Sequence, residues 1–208
     1  MIIAVDGPTA SGKGTIAKAL AAHFHLPHMD TGLLYRAVGY QVALDNGDPD
    51  SEADALAACE FPEELLGHPA LRLEETGALA SRVSVHPAVR RALLERQRAF
   101  AGQPGGAVLD GRDIGTVICP AADAKLFVTA SVAARARRRW LEMQARGAAV
   151  SLAAIEADLA ARDHRDSTRA AAPLLAADDA LALDTSALDR DQAIAAAIAL
   201  VEQALETR

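Results

Sequence analysis

A parallel β-sheet core flanked by helices is the fold class this sequence predicts, and three observations carry that prediction. Short, mostly apolar runs recur along the chain at 1–5, 107–109 and 125–128, the first two closed by Asp6 and Asp110. Between them, apolar residues return at helical spacing. A glycine-rich turn joins the first run directly to the first helical stretch. Strands alternating with helices build a parallel sheet with helices on its faces. Ligands of such sheets bind at the carboxyl ends of the strands.

Taken in order, Met1–Val5 reads as a buried strand closed by Asp6. A helix is expected from about Lys13 to Phe24, and a short strand at His28–Asp30. A second helix starts near Thr31, with Leu34, Ala37, Val38 and Val42 on one face. Asn46-Gly47-Asp48-Pro49 signals a turn, and the stretch from Asp45 to Val85 reads as mostly helical. After the loop Gly102–Gly106, Ala107–Asp110 and Lys125–Val128 read as strands. Ser131 caps a helix expected to run to about Arg146, and Ser151 caps another to about Arg165. Leu181–Leu183 makes a last strand, and a final helix fills Asp189–Glu206.

The 208 residues suit one domain with its own core. With 51% hydrophobic and 24% charged residues, the chain is globular rather than disordered. No apolar run is long enough to span a bilayer, and the N-terminus runs into a strand with no basic leader, so a cytoplasmic setting is expected. Cys59 and Cys119 are far apart and match no metal spacing, which fits two reduced, ordinary thiols. A net charge of −7 argues against bulk attraction to nucleic acid. Only Lys13, Lys18 and Lys125 are lysines; the other cations are arginines, whose planar fork grips phosphate in two places.

The strongest motif is Gly7-Pro8-Thr9-Ala10-Ser11-Gly12-Lys13-Gly14-Thr15. It follows a strand and opens a helix, the context a phosphate-binding loop requires. Its backbone N–H groups point inward at phosphate oxygens, the helix N-terminus adds partial positive charge, and Lys13 reaches the β- and γ-phosphates of ATP. The common pattern places Ser or Thr directly after the lysine, on Mg²⁺. Here that position is Gly14, so no residue is expected to ligate the metal directly, and Mg²⁺ is expected through ATP and water.

Three further segments carry a resemblance. Asp30-Thr31-Gly32-Leu33-Leu34-Tyr35-Arg36, Asp110-Gly111-Arg112-Asp113-Ile114-Gly115-Thr116-Val117, and Arg162-Asp163-His164-Arg165-Asp166-Ser167-Thr168-Arg169 follow the phosphate loop in order. Together they resemble the motif set of bacterial cytidylate kinases, within the nucleoside monophosphate kinases of P-loop type. The resemblance implies a P-loop kinase fold with a short acceptor-binding insert and a helical lid. It implies transfer of a phosphoryl group from ATP to CMP or dCMP. It also implies that Arg162 and Asp166 hold the ribose, that Arg169 reaches the nucleotide, and that Asp113 accepts from the cytosine amino group. Thr31, Ser81 and Arg90 match the family's nucleotide contacts.

Independently of that likeness, Arg36 and Arg112 follow binding-edge elements and could clamp an acceptor phosphate. Arg162, Arg165, Asp166 and Arg169 fall at i, i+3, i+4 and i+7, one helix face; taken alone, they read as a solvated face of Arg–Asp pairs, and it is the resemblance that turns them toward the nucleotide. The arginine run after Ser131 reads by itself as a solvated face or a nucleic-acid patch; the likeness to nucleotide kinases, whose lid brings arginines onto the transferring phosphoryl group, implies that role for Arg135 and Arg139, which share a face at i and i+4. A kinase for another acceptor, such as UMP or a small metabolite, and a plain ATPase remain open on the residues alone. The core is expected over about 1–40 and 82–208, a shortened insert over about 41–81, and a lid over about 135–165. A monomer is expected, with no nucleic-acid or membrane partner.

Overall fold

The computed structural model describes residues 1–145 and 147–206. Arg146, the expected end of the helix after Ser131, lies outside them. The chain forms two compact units: residues 1–29 with 103–208, and residues 30–102. The expected insert of about 41–81 falls inside the second.

The first unit is built on β1 (Ile2–Asp6), β3 (Ala107–Gly111), β4 (Ala124–Thr129) and β5 (Leu181–Asp184). β2 (His28–Asp30), whose last residue opens the second unit, completes a five-stranded sheet in the order β2-β3-β1-β4-β5. β1 runs parallel to both β3 and β4, and β4 to β5. Ile3 and Val5 of β1, with Leu126 and Val128 of β4, pack against Ile16 and Leu20 of α1 (Lys13–His23) and Ala197 and Val201 of α8 (Arg190–Glu206). Most of these side chains are fully buried, so the hydrophobic effect fixes the sheet and hence the places where its strands end. α6 (Val132–Ala145) and α7 (Leu152–Thr168) pack on one another through Ala136, Ile155 and Leu159. Ser131 Oγ accepts from Ala134 N and Ser151 Oγ from Ala154 N, the two caps the sequence predicts.

The second unit is helical. α2 (Thr31–Leu44) lies against α4 (Glu74–Val83), and α3 (Glu52–Ala57), three short 3₁₀ segments and α5 (Pro87–Ala101) complete it. Gly39 permits the close approach of α2 and α4: a Cβ there would lie 2.8 Å from Leu79 Cβ and 3.0 Å from Ala80 N. α5 opens with Pro87 at its first turn, where the missing N–H costs nothing, and buries Val89, Leu93 and Gln97 along one stripe. Apart from Asp30, the described residues of this unit contain no strand.

Candidate active site

β1 delivers the phosphate loop at the centre of the sheet. Gly7 is required by space: a Cβ there would sit 2.0 Å from the Val128 carbonyl oxygen of β4. Gly12 takes φ +91° and caps α1, a conformation glycine adopts without steric cost. The loop curls far enough for Lys13 Nζ to donate to Pro8 O, 3.5 Å away. Ser11 is fully buried, and its hydroxyl has no hydrogen-bond partner among the described residues.

Three arginines of α6 separate by environment. Arg135 is 2% exposed. It donates to Thr9 O of the loop at 3.1 Å and to Ala130 O at 2.9 Å, and grips both carboxylate oxygens of Asp163 on α7 at 3.0 and 2.5 Å. Arg138 donates to Thr185 Oγ1 at 3.1 Å, to Thr185 O and to Leu188 O at 3.3 Å. Thr185 Oγ1 in turn donates to Ser11 O, 3.0 Å away. Arg139 lines a cavity of about 430 Å³ together with Gly12, Thr15, Arg138, Leu188 and Ala193. Sequence spacing places Arg135 and Arg139 on one face but does not foresee this division. The part taken by Arg138 and Thr185 has no local signal at all, because Thr185 lies 174 residues from its partner Ser11.

β3 ends beside β1 with Asp6 opposite Gly111 and Val5 opposite Asp110. The carboxylate of Asp6 accepts the N–H groups of Ile114 and Gly115, each at 2.8 Å, and so ties the strand before the phosphate loop to the turn after β3. Burial pushes the Asp6 carboxyl up to about 6; the two N–H groups pull the other way, nearby Asp113 adds to the rise and Lys13 opposes it. On that turn Arg112 Nε donates to Asp166 Oδ2 at 2.7 Å, and Asp113 Oδ1 lies 3.7 Å from Arg169 Nη2. Burial disfavours the ionised Asp166, but Arg112, with Arg162 and Arg169, outweighs it and holds the carboxyl below its ordinary value. The structure thus brings Arg112, Asp113, Asp166 and Arg169 together and leaves Arg165 on the exposed side of α7.

In the second unit Thr31 is buried at the start of α2. Arg36 crosses to the chain before α4, donating to Leu71 O and Leu73 O at 2.8 Å each. Gly77 leaves it room, since a Cβ there would lie 2.7 Å from Arg36 Nη2. Ser81 is 4% exposed, yet its hydroxyl has no hydrogen-bond partner among the described residues. Arg90 lies over the Tyr35 ring, 5.5 Å from its centroid, and donates to Ser84 O at 3.4 Å. A buried hydroxyl left without a partner costs stability, and the described residues offer Ser81 nothing that offsets that cost.

Comparison with known proteins agrees with these motifs. The model of the family described as cytidylate kinase matches residues 3–203. A protein named cytidylate kinase from Xanthobacter autotrophicus is 58% identical over 202 residues, covering 97% of each chain. Another of the same name, from Afipia carboxidovorans, is 54% identical over 210 residues and the whole of both chains. Among solved structures, an uncharacterized protein from Eubacterium ventriosum shares the fold, with a TM-score of 0.56 at 15% identity over 100% of this chain and 99% of that one.

Proposed function

The chain belongs to the cytidylate kinase family and phosphorylates CMP with ATP, and we propose how its residues divide that work. The amides of the phosphate loop and Lys13 take the β- and γ-phosphates of ATP, aided by the N-terminus of α1. The cavity beside Gly12 and Thr15, floored by the Arg138–Thr185 pair, takes the nucleoside of ATP. Arg36 and Arg112 grip the acceptor phosphate. Arg162 and Asp166 hold the ribose, Arg169 reaches the nucleotide, and Thr31, Ser81, Arg90 and Asp113 serve the nucleotide and its base. dCMP is accepted as well.

An oxygen of the CMP phosphate attacks the γ-phosphorus, the bond to the β-phosphate oxygen breaks, and ADP leaves. No general base is needed, because that oxygen is already anionic and phosphoryl transfer rests on positioning and charge stabilisation. Arg139 is assigned to the charge on the transferring group. Arg135, which donates to Thr9, Ala130 and Asp163, contributes by fixing the loop that carries the phosphates. α6 and α7 act as the lid, excluding water during transfer.

Mg²⁺ fits this site as a companion of ATP. Gly14 supplies no hydroxyl, but a Cβ at Gly14 would lie 3.6 Å from Asp110 Oδ2, so a carboxylate oxygen stands near the place a serine hydroxyl would reach. Asp110 would therefore hold the metal's water shell. The ion neutralises phosphate charge when bound. Cys59 and Cys119 match no metal spacing, which suits the ordinary thiols of a cytoplasmic setting, and the full motif set on one chain supports a working monomer.

The observation that carries the acceptor assignment is the gathering of Arg112, Asp113, Asp166 and Arg169. Replacing buried ion pairs by apolar residues is often neutral or stabilising, so four such groups together are better explained by a ligand than by the fold. Asp113 accepts from the N4 amino group of cytosine, whereas uracil would oppose two acceptors. Asp113→Asn, whose amide can turn its NH₂ toward O4, should lower the preference for CMP over UMP in kcat/KM by roughly ten- to a hundredfold. An unchanged ratio in an active variant would remove Asp113 from base reading.

A further inference from the structure

His28 of β2 lies beside Asp110 of β3, with Nε2 2.7 Å from Oδ1. Their side chains are 16% and 4% exposed. A sheltered histidine–aspartate hydrogen bond is directional and strong, and it fixes one rotamer of the carboxylate where an apolar pair would fix none. The second oxygen of Asp110 lies near the phosphate loop. Oδ2 is 3.6 Å from the place of a Cβ on Gly14, the residue directly after Lys13 in the first turn of α1. One carboxylate therefore reaches from an edge strand to the phosphate loop, at the one loop position where the hydroxyl common to such loops is missing.

We propose that His28 is a positioning residue for phosphoryl transfer: by holding Asp110 Oδ1, it aims Oδ2 at the Lys13–Gly14 turn, where the carboxylate serves the metal carried by ATP. This rests on the kinase assignment above. The histidine contacts no substrate; its effect passes through the carboxylate.

The test is calorimetric binding of a non-hydrolysable ATP analogue, with and without Mg²⁺, to the full chain. In His28→Ala the tightening produced by Mg²⁺ should shrink by about tenfold, as for other groups that orient a metal-side ligand. Metal-free affinity and the KM for CMP should stay as in the wild type. His28→Gln, which keeps an N–H near the Nε2 position, should restore most of the metal effect. Should the alanine variant fold poorly, His28→Leu fills the space without a donor and should show the same loss. A full Mg²⁺ effect in a folded Ala or Leu variant would overturn the proposal and leave His28 as a tie between β2 and β3. Analogue binding by the wild type that Mg²⁺ does not tighten would instead sink the kinase assignment.

Discussion

Asp6 places a buried carboxylate where two strand ends and the phosphate loop meet, and its ionisation couples the fold to pH. The unfolded chain releases this proton near 3.8, the folded chain near 6. Between those values the folded state binds more protons, so this group's contribution to stability falls as pH rises through the window. Relative to Asp6→Asn, the wild type should gain about 2 kcal/mol of unfolding free energy on going from pH 7 to pH 4.5. Denaturant titrations of both proteins at the two pH values check this; a pH-independent difference would contradict it. Ser81 allows a sharper split between fold and function. Ser81→Ala should raise the KM for CMP about five- to tenfold, the worth of one neutral hydrogen bond, with no loss of melting temperature. A fall in melting temperature with unchanged KM would assign the hydroxyl to the fold instead. Gly7, Lys13 and Asp113 are legible in the sequence because their motifs are local. The orphaned hydroxyl of Ser81 and the raised carboxyl of Asp6 are not, since both depend on what long-range packing places around them.

At the scale of elements, the helix α6 shows what a sequence pattern does and does not decide. Its cap at Ser131 and its arginine run follow from local chemistry. The division of labour among the arginines follows from partners on other segments: Asp163 and Thr9 for Arg135, Thr185 and Leu188 for Arg138. Arg135→Met would strand the Asp163 carboxylate and the Thr9 carbonyl. It should lower stability toward the lower end of the about 3–5 kcal/mol typical of a broken buried pair, because Asp163 is partly exposed. Arg139→Met should cut kcat at least tenfold, with little change in the KM for CMP. Thermal melts and steady-state kinetics on the two variants separate these roles; equal kcat in Arg139→Met and wild type would remove Arg139 from the chemistry. The strands and most helices are legible because apolar runs and caps are local. α5 lacks an obvious apolar stripe, burying Gln97 in line with Val89 and Leu93, and that polar residue hides its face from a hydropathy reading.

For the whole molecule, the parallel sheet matches what alternating strands and helices lead one to expect, and the stretch from Asp45 to Val85 is helical as its pattern suggests; the strand order is not foreseen. No helix among the described residues is long and apolar enough to cross a membrane. The acceptor residues are distributed over the chain: Thr31, Arg36, Ser81 and Arg90 lie in residues 30–102, while Arg112, Asp113, Arg162, Asp166 and Arg169 lie in the other unit. Sequence order alone could not say which of these share a neighbourhood; β3 and α7 bring Arg112 and Asp166 together across 54 residues. The measurement that tests the central claim most directly is ADP release by the purified chain with Mg-ATP and each of CMP, dCMP, UMP, AMP and GMP, against a tube with no acceptor. Release strongly stimulated by CMP and dCMP, weakly by UMP and barely by the purine nucleotides is the predicted result. Equal release in every tube would contradict it, and the acceptor assignments of Arg112, Asp113 and Asp166 would fall with it.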